Sequence, residues 1–120
     1  MSHKFPKAEK LKSRKTIELL FAEGKSITKF PIKLIYLPSE ASKTQAAFAV
    51  PKRNFKLAVH RNRIKRQLRE AYRLQKQYLL HNNGPTFALL FLYLSKENVP
   101  YPTMESSVKK ILKKLNDENS

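Results

Sequence analysis

Apolar residues recur along this chain with two different periods, and each change of period marks an element. Ser13 stands where a helix can be capped, Ile17, Leu20 and Phe21 share one side of the turns that follow, and Gly24 stops them near Glu23. Lys25 to Thr28 has the length of a short strand. After Pro31 the segment Ile32 to Leu37 alternates, with Ile32, Leu34 and Tyr36 on one face and Lys33 and Ile35 on the other. Pro38 to Thr44 is polar and predicts a loop. Gln45 to Val50 alternates again, Ala46, Phe48 and Val50 sharing a face, and Pro51 ends the strand or places it at an edge. A long helix begins near Lys56 and ends before Asn82-Asn83-Gly84-Pro85. Thr86 to Leu94 is almost wholly apolar, as in a central strand covered on both faces. Thr103 caps a last helix in which Met104, Val108, Ile111 and Leu115 repeat at helical spacing. Strand, helix and strand in succession predict that the third and fourth strands pair in parallel across the long helix.

Winding that helix at about 100° per residue separates its side chains by chemistry. Leu57, Leu68, Ala71 and Leu79 fall within about 60° of Ile64 and form an apolar stripe. Asn62, Lys65, Arg66, Arg69, Arg73 and Lys76 gather between about 100° and 200°. The basic members make a ridge that climbs roughly 16 Å at about 1.5 Å per residue from Lys65 to Lys76, a length suited to several consecutive phosphates. A cationic rail on a helix anchored by its other side points to nucleic acid.

Composition sharpens that reading. The 120 residues carry 25 Lys and Arg against 9 Asp and Glu, a formal net charge of +16. Self-repulsion on this scale calls for a polyanionic partner. Between Lys52 and Lys76 stand ten basic side chains and one acid, Glu70, so the charge is focused. By contrast, Lys109, Lys110, Lys113 and Lys114 line the outer sides of the last helix, where solvation and the helix dipole account for them. A hydrophobic content of 41% suffices for one domain over residues 1–120, with 1–9 as a basic flexible tail and 116–120 as a second tail. The absence of cysteine excludes disulfides and thiolate metal sites and fits a cytoplasmic protein. No signal-like stretch opens the chain, and Phe87 to Leu94 is too short to span a membrane.

Protein-borne hydrolysis of a phosphodiester calls for clustered carboxylates that hold metals or for a histidine pair. The nine acids are scattered, and Glu70 follows Arg66 by four residues, the spacing of an intrahelical pair. His3, His60 and His81 stand far apart in the chain. No catalytic residue and no metal site is therefore expected in the protein itself.

The run Ala58-Val59-His60-Arg61-Asn62-Arg63-Ile64-Lys65-Arg66-Gln67-Leu68-Arg69-Glu70 resembles the arginine-asparagine-arginine signature of the bacterial ribonuclease P protein subunit. The likeness extends from about Lys10 to Leu115, with Phe21-Ala22-Glu23-Gly24 similar to the family's phenylalanine, two further residues and glycine. What the resemblance implies is an α+β fold, an α/β sandwich of the ribosomal protein S5 domain 2 type. In it a mixed sheet of about four strands is flanked by three helices in the order αβββαβα, with a left-handed βαβ crossover through the signature helix. The family protein joins a catalytic RNA, and that RNA, with magnesium, removes the 5′ leader from precursor transfer RNA. Its implied partners are the ribonuclease P RNA and the precursor leader, without DNA or membrane, and as a monomer in the holoenzyme. No cofactor is expected in the protein.

Residue roles follow from the resemblance joined to side-chain chemistry. Arg61, Arg63, Arg66 and Arg69 suit bidentate phosphate contacts, Lys65 acts as a mobile point charge, and Arg73 continues the ridge. Asn62 reads a ribose or base edge, or else caps local backbone. Lys52, Arg53 and Lys56 extend the surface ahead of the helix. Arg63 lies on the opposite flank from Lys65, placed to touch RNA or to support the helix through Glu70. The implied leader cleft between sheet and first helix offers Phe21 as the best stacking ring. Ile17 stands where the family often has a second aromatic, and it packs on a base without stacking. Tyr36 and Phe48 are open to either the cleft or the core. Pro51 replaces a serine usual in the family and removes its hydroxyl. The rival reading is a ribosome-associated structural RNA-binding protein, which shares the size and charge.

Overall fold

The computed structural model describes residues 10–41, 43–75 and 86–118. Its elements are α1 (Arg14–Glu23), β1 (Lys25–Lys29), β2 (Ile32–Ser39), β3 (Gln45–Ala49), α2 (Ala58–Gln75), β4 (Thr86–Tyr93) and α3 (Tyr101–Glu118). The expected order αβββαβα is the observed one. The four strands form a single mixed sheet in the order β1-β2-β4-β3. β4 is bonded on both sides, antiparallel to β2 and parallel to β3, so α2 makes the crossover between parallel strands.

Strand alternation divides the core between the two faces of the sheet. Ile32, Leu34 and Tyr36 of β2 share one face with Phe87, Leu89, Phe91 and Tyr93 of β4, and all seven are buried. Onto them pack Ile64, Leu68, Ala71 and Tyr72 from α2 and Met104, Val108, Ile111, Leu112 and Leu115 from α3. The opposite face holds a smaller cluster of Leu11, Leu20, Ile35, Ala88 and Leu90, with α1 as its helix. Ser13 caps α1, its Oγ accepting from the Thr16 amide at 3.2 Å. Gly24 ends it for lack of room: a Cβ there would lie 2.4 Å from the Leu20 carbonyl oxygen and 2.5 Å from Ile35 Cγ2.

Several boundaries differ from the sequence reading. β2 runs on to Ser39, because the Thr86 hydroxyl donates to the carbonyls of Ser39 (3.0 Å) and Ala41 (2.8 Å) and holds the start of the expected loop against β4. Leu57 precedes α2 and is 59% exposed, so it is not part of the apolar stripe. Its carbonyl instead accepts from the amides of His60 and Arg61 as the helix opens. Tyr72 takes a place in the stripe that the wheel did not assign. α3 starts at Tyr101, with the Thr103 and Met104 amides donating to the Pro100 carbonyl, so Thr103 sits inside the first turn and is not the cap. Residues 116–118 belong to α3 and are not a tail; the Tyr36 hydroxyl donates to Glu118 Oε1 at 2.9 Å. The tail at 1–9, the end of the basic helix with Lys76 and Leu79, and the turn at 82–85 lie outside the described residues.

Candidate nucleic-acid interface

The ridge is held in place by the stripe behind it. Ile64, Leu68, Ala71 and Tyr72 are buried along the inner side of α2, which leaves Asn62, Arg63, Arg66 and Arg69 exposed and Lys65 and Arg73 half-buried. Lys65, Arg66 and Arg69 form no ion pair with another described residue. Three cations of one sign, unneutralised and fixed by a rigid element, are the form of a phosphate-binding surface. Asn62 makes no side-chain hydrogen bond with the described residues, so its amide is not committed to capping backbone.

The segment ahead of α2 brings further charge to the helix end. Phe55 is buried against Tyr93, ring centroids 6.0 Å apart, and pins a turn that exposes Lys52, Arg53 and Lys56. Arg61 ties that turn to the helix, Nη1 donating to the carbonyls of Phe55 and Lys56, each at 2.8 Å. Arg61 is thus a half-buried brace as well as a cation, a role that spacing alone does not reveal.

The expected Arg66–Glu70 pair does not form. Glu70 is instead held by Arg73, three residues on, through two hydrogen bonds, one of them Arg73 Nε to Glu70 Oε1 at 2.9 Å. The Arg73 hydrogen bonds hold the Glu70 carboxyl below its ordinary range, against a small opposing effect of burial. The same bonds raise Arg73. Arg73 is therefore partly neutralised, Arg66 is released to the surface, and Arg63 does not support the helix through Glu70.

The other candidate surface lies on the α1 side of the sheet. Phe21 is 60% exposed on α1, while Ile17 is half-buried against the small cluster. Tyr36 and Phe48 do not reach this side. Period two puts Tyr36 with Ile32 and Leu34, where it meets Phe87 edge-on at 5.9 Å, and Phe48 with Ala46, where it stacks on Phe91 at 5.5 Å. Tyr36 is buried in the core, and Phe48 is half-buried against it. The floor beside α1 is formed instead by Leu37, Ala47, Ala49 and Leu92, all partly open. The signal for it was the run of alanines flanking Phe48, whose small size leaves the sheet surface accessible. Among the described residues no three His, Asp or Glu side chains come together in a metal-ligating group. None of the described helices is long and apolar enough to cross a membrane.

Comparisons with known proteins agree with this geometry. The ribonuclease P family model matches residues 5–116. A ribonuclease P protein component of Porphyromonas gingivalis is 37% identical over 112 residues, covering 88% of this chain and 82% of that protein. The fold matches the ribonuclease P protein of Staphylococcus aureus with a TM-score of 0.75 at 18% identity, over 95% of this chain and 100% of that one. It matches the Thermotoga maritima protein with a TM-score of 0.74 at 23% identity, over 88% and 96% of the two chains. With the family model spanning nearly its whole length and the signature run on its exposed helix, this chain belongs to the ribonuclease P protein component family.

Proposed function

We propose that this chain is the RNA-binding subunit of ribonuclease P, docking on the catalytic RNA through α2 and guiding the 5′ leader of precursor transfer RNA. The observation that carries the reading is the row Lys65, Arg66 and Arg69, unpaired among the described residues, on the signature helix of a chain in this family. The planar guanidinium groups of Arg66 and Arg69 bind phosphate oxygens in pairs, and Lys65 adds a mobile charge. Lys52, Arg53 and Lys56 continue the contact ahead of the helix, with Arg61 keeping their turn in register. On the other face of the sheet, Phe21 offers a ring to an unpaired leader base, and the open floor of Leu37, Ala47, Ala49 and Leu92 gives the strand an apolar bed.

In this reading the chemistry, with any magnesium it uses, would belong to the RNA. The chain contributes no catalytic group; it lowers the repulsion between two polyanions and orients the leader. The protein acts as one copy in the holoenzyme and works in the cytoplasm. The test is 5′ maturation of a precursor transfer RNA at low magnesium with RNA alone, protein alone and both. Cleavage restored only by the combination is the expected result. Cleavage by the protein alone would overturn the assignment of chemistry to the RNA. Tight RNA binding without enhancement would favour a ribosome-associated role.

A further inference from the structure

The flank of α2 that faces away from the ridge forms one wall of a groove whose other wall is the loop 98–100 and the start of α3. Two adjoining cavities lie in it. One, of about 350 Å³, has largely apolar walls and is lined by Arg66, Gln67, Glu70 and Tyr101. The other, of about 360 Å³, is more polar and is lined by Arg63, Gln67, Asn98, Val99, Pro100 and Tyr101. Gln67 and Tyr101 belong to both, so the two are compartments of a single groove. Each is at the lower end of the range, about 300–1,000 Å³, in which clefts enclose small planar ligands.

The groove contains polar groups whose hydrogen-bonding capacity the described residues do not exhaust. Among the described residues the buried Tyr101 hydroxyl has no hydrogen-bond partner at bonding distance, although the Glu105 carboxylate one turn on is near enough to act on it. Such a group in a native protein calls for an explanation, and a ligand that completes it is one. Burial, with the nearby carboxylates of Glu105 and Glu70 next, pushes this phenol up and keeps it protonated and able to donate. The Glu70 carboxylate stays ionised beside Arg73, which takes one bond to each oxygen, and its remaining lone pairs can accept at the edge of the apolar compartment. The amides of Gln67 and Asn98 offer both donors and acceptors. Arg66 stands at about 200° on the helix wheel, the boundary between ridge and groove, and Arg63 borders the polar compartment. A phosphodiester strand following the ridge therefore meets arginines on the way into the groove.

We infer that this groove receives one unpaired nucleotide of the RNA partner, its base in the apolar compartment against Tyr101 and its sugar and phosphate toward Arg63 and Arg66. The inference rests on the RNA-binding reading above and adds a site for base recognition to a surface otherwise made for phosphates. An acceptor-only carboxylate pairs with N–H donors, so it favours guanine, adenine and cytosine, which carry an exocyclic amino group, over uracil, whose one base-edge donor is its ring N3–H between two carbonyls.

Two measurements test this. In the first, the full-length protein is titrated with GMP, AMP, CMP and UMP, and with inorganic phosphate, while the side-chain amide NMR signals of Gln67 and Asn98 are followed. Saturable shifts with the three amino-bearing nucleotides, and binding at least about fivefold weaker for UMP, are expected. Equal shifts from UMP, or from phosphate alone, would overturn the proposal. In the second, Gln67→Ala and Tyr101→Phe proteins are assembled with the catalytic RNA across a range of salt. Affinity should fall about tenfold in each, with the salt slope unchanged, since no phosphate contact is lost. Tyr101→Phe removes only a hydroxyl that no described residue holds at bonding distance, so it keeps the wild-type melting temperature and serves if Gln67→Ala fails to fold. Wild-type affinity in Tyr101→Phe would overturn the groove and leave the ridge standing. No RNA affinity in the wild-type protein would overturn both.

Discussion

The two faces of the sheet are built from the same four strands and serve opposite ends. On one, Tyr36, Phe87, Phe91 and Tyr93 fill the space under two 18-residue helices, and these four rings are sealed from water. On the other, Leu37, Ala47, Ala49 and Leu92 lie under a single ten-residue helix and stay partly open. Large rings on one side and alanines on the other follow from alternation in β3 and β4, where neighbouring residues point to opposite faces. The sealed face holds the fold and presents the basic ridge on its outer helix. The thin face keeps apolar surface open beside α1.

Phe91 and Leu92 are adjacent on β4 and put this contrast to its sharpest test. Phe91→Ala removes a ring that contacts Phe48 and Tyr72, and should cost about 3–5 kcal/mol in urea unfolding. Leu92→Ala on the open face should cost only about 1 kcal/mol, as half-buried apolar area predicts. Equal losses would mean that the α1 side is as much a core as the other.

The ridge should separate binding from stability. Arg66→Ala with Arg69→Ala is expected to weaken binding to the catalytic RNA about 100-fold and to lower the salt slope by about 2, with the melting temperature unchanged. A similar loss from Arg14→Ala with Lys15→Ala, both exposed on α1, would show that general charge and not the ridge carries affinity. On the thin face, Phe21→Ala should reduce affinity for a precursor with its leader by about tenfold, leaving mature transfer RNA unaffected. An equal effect on both ligands would remove Phe21 from the leader contact.

Much of this was readable in the chain because it depends on periods. Alternation placed Ile32, Leu34 and Tyr36 on one face, helical spacing separated Ile64 and Leu68 from Arg66 and Arg69, and the signature run pointed to the family. What escaped was set by tertiary partners. Period two showed that Tyr36 and Phe48 share faces with apolar residues, but not which face two helices would cover. Arg61 is a brace because Phe55 folds its turn back onto the core, a contact with no local spacing rule. The groove on α2 needs Asn98 and Tyr101 from beyond β4, so no window of sequence contains it.

Glu70 gives the smallest effect, and it lies where the sealed face meets the ridge. Its hydrogen bonds to Arg73 hold the carboxyl below the ordinary value of 4.5, whereas the unfolded chain restores that value. Between the two values the unfolded state binds a proton that the folded state does not. The stabilisation is therefore complete above the unfolded value and is lost as pH falls through the depressed folded one. The Glu70 side chain is 45% exposed, so solvent and salt screen the pair and the contribution is minor. Wild-type protein should melt slightly above Glu70→Gln from about pH 7 down to about pH 5, with the gap closing below the ordinary carboxylate range. High salt should narrow it at every pH. A gap undiminished at about pH 3 would show that Glu70 acts by packing against the groove wall and not by charge, and would move it from the ridge's electrostatics to the sealed core.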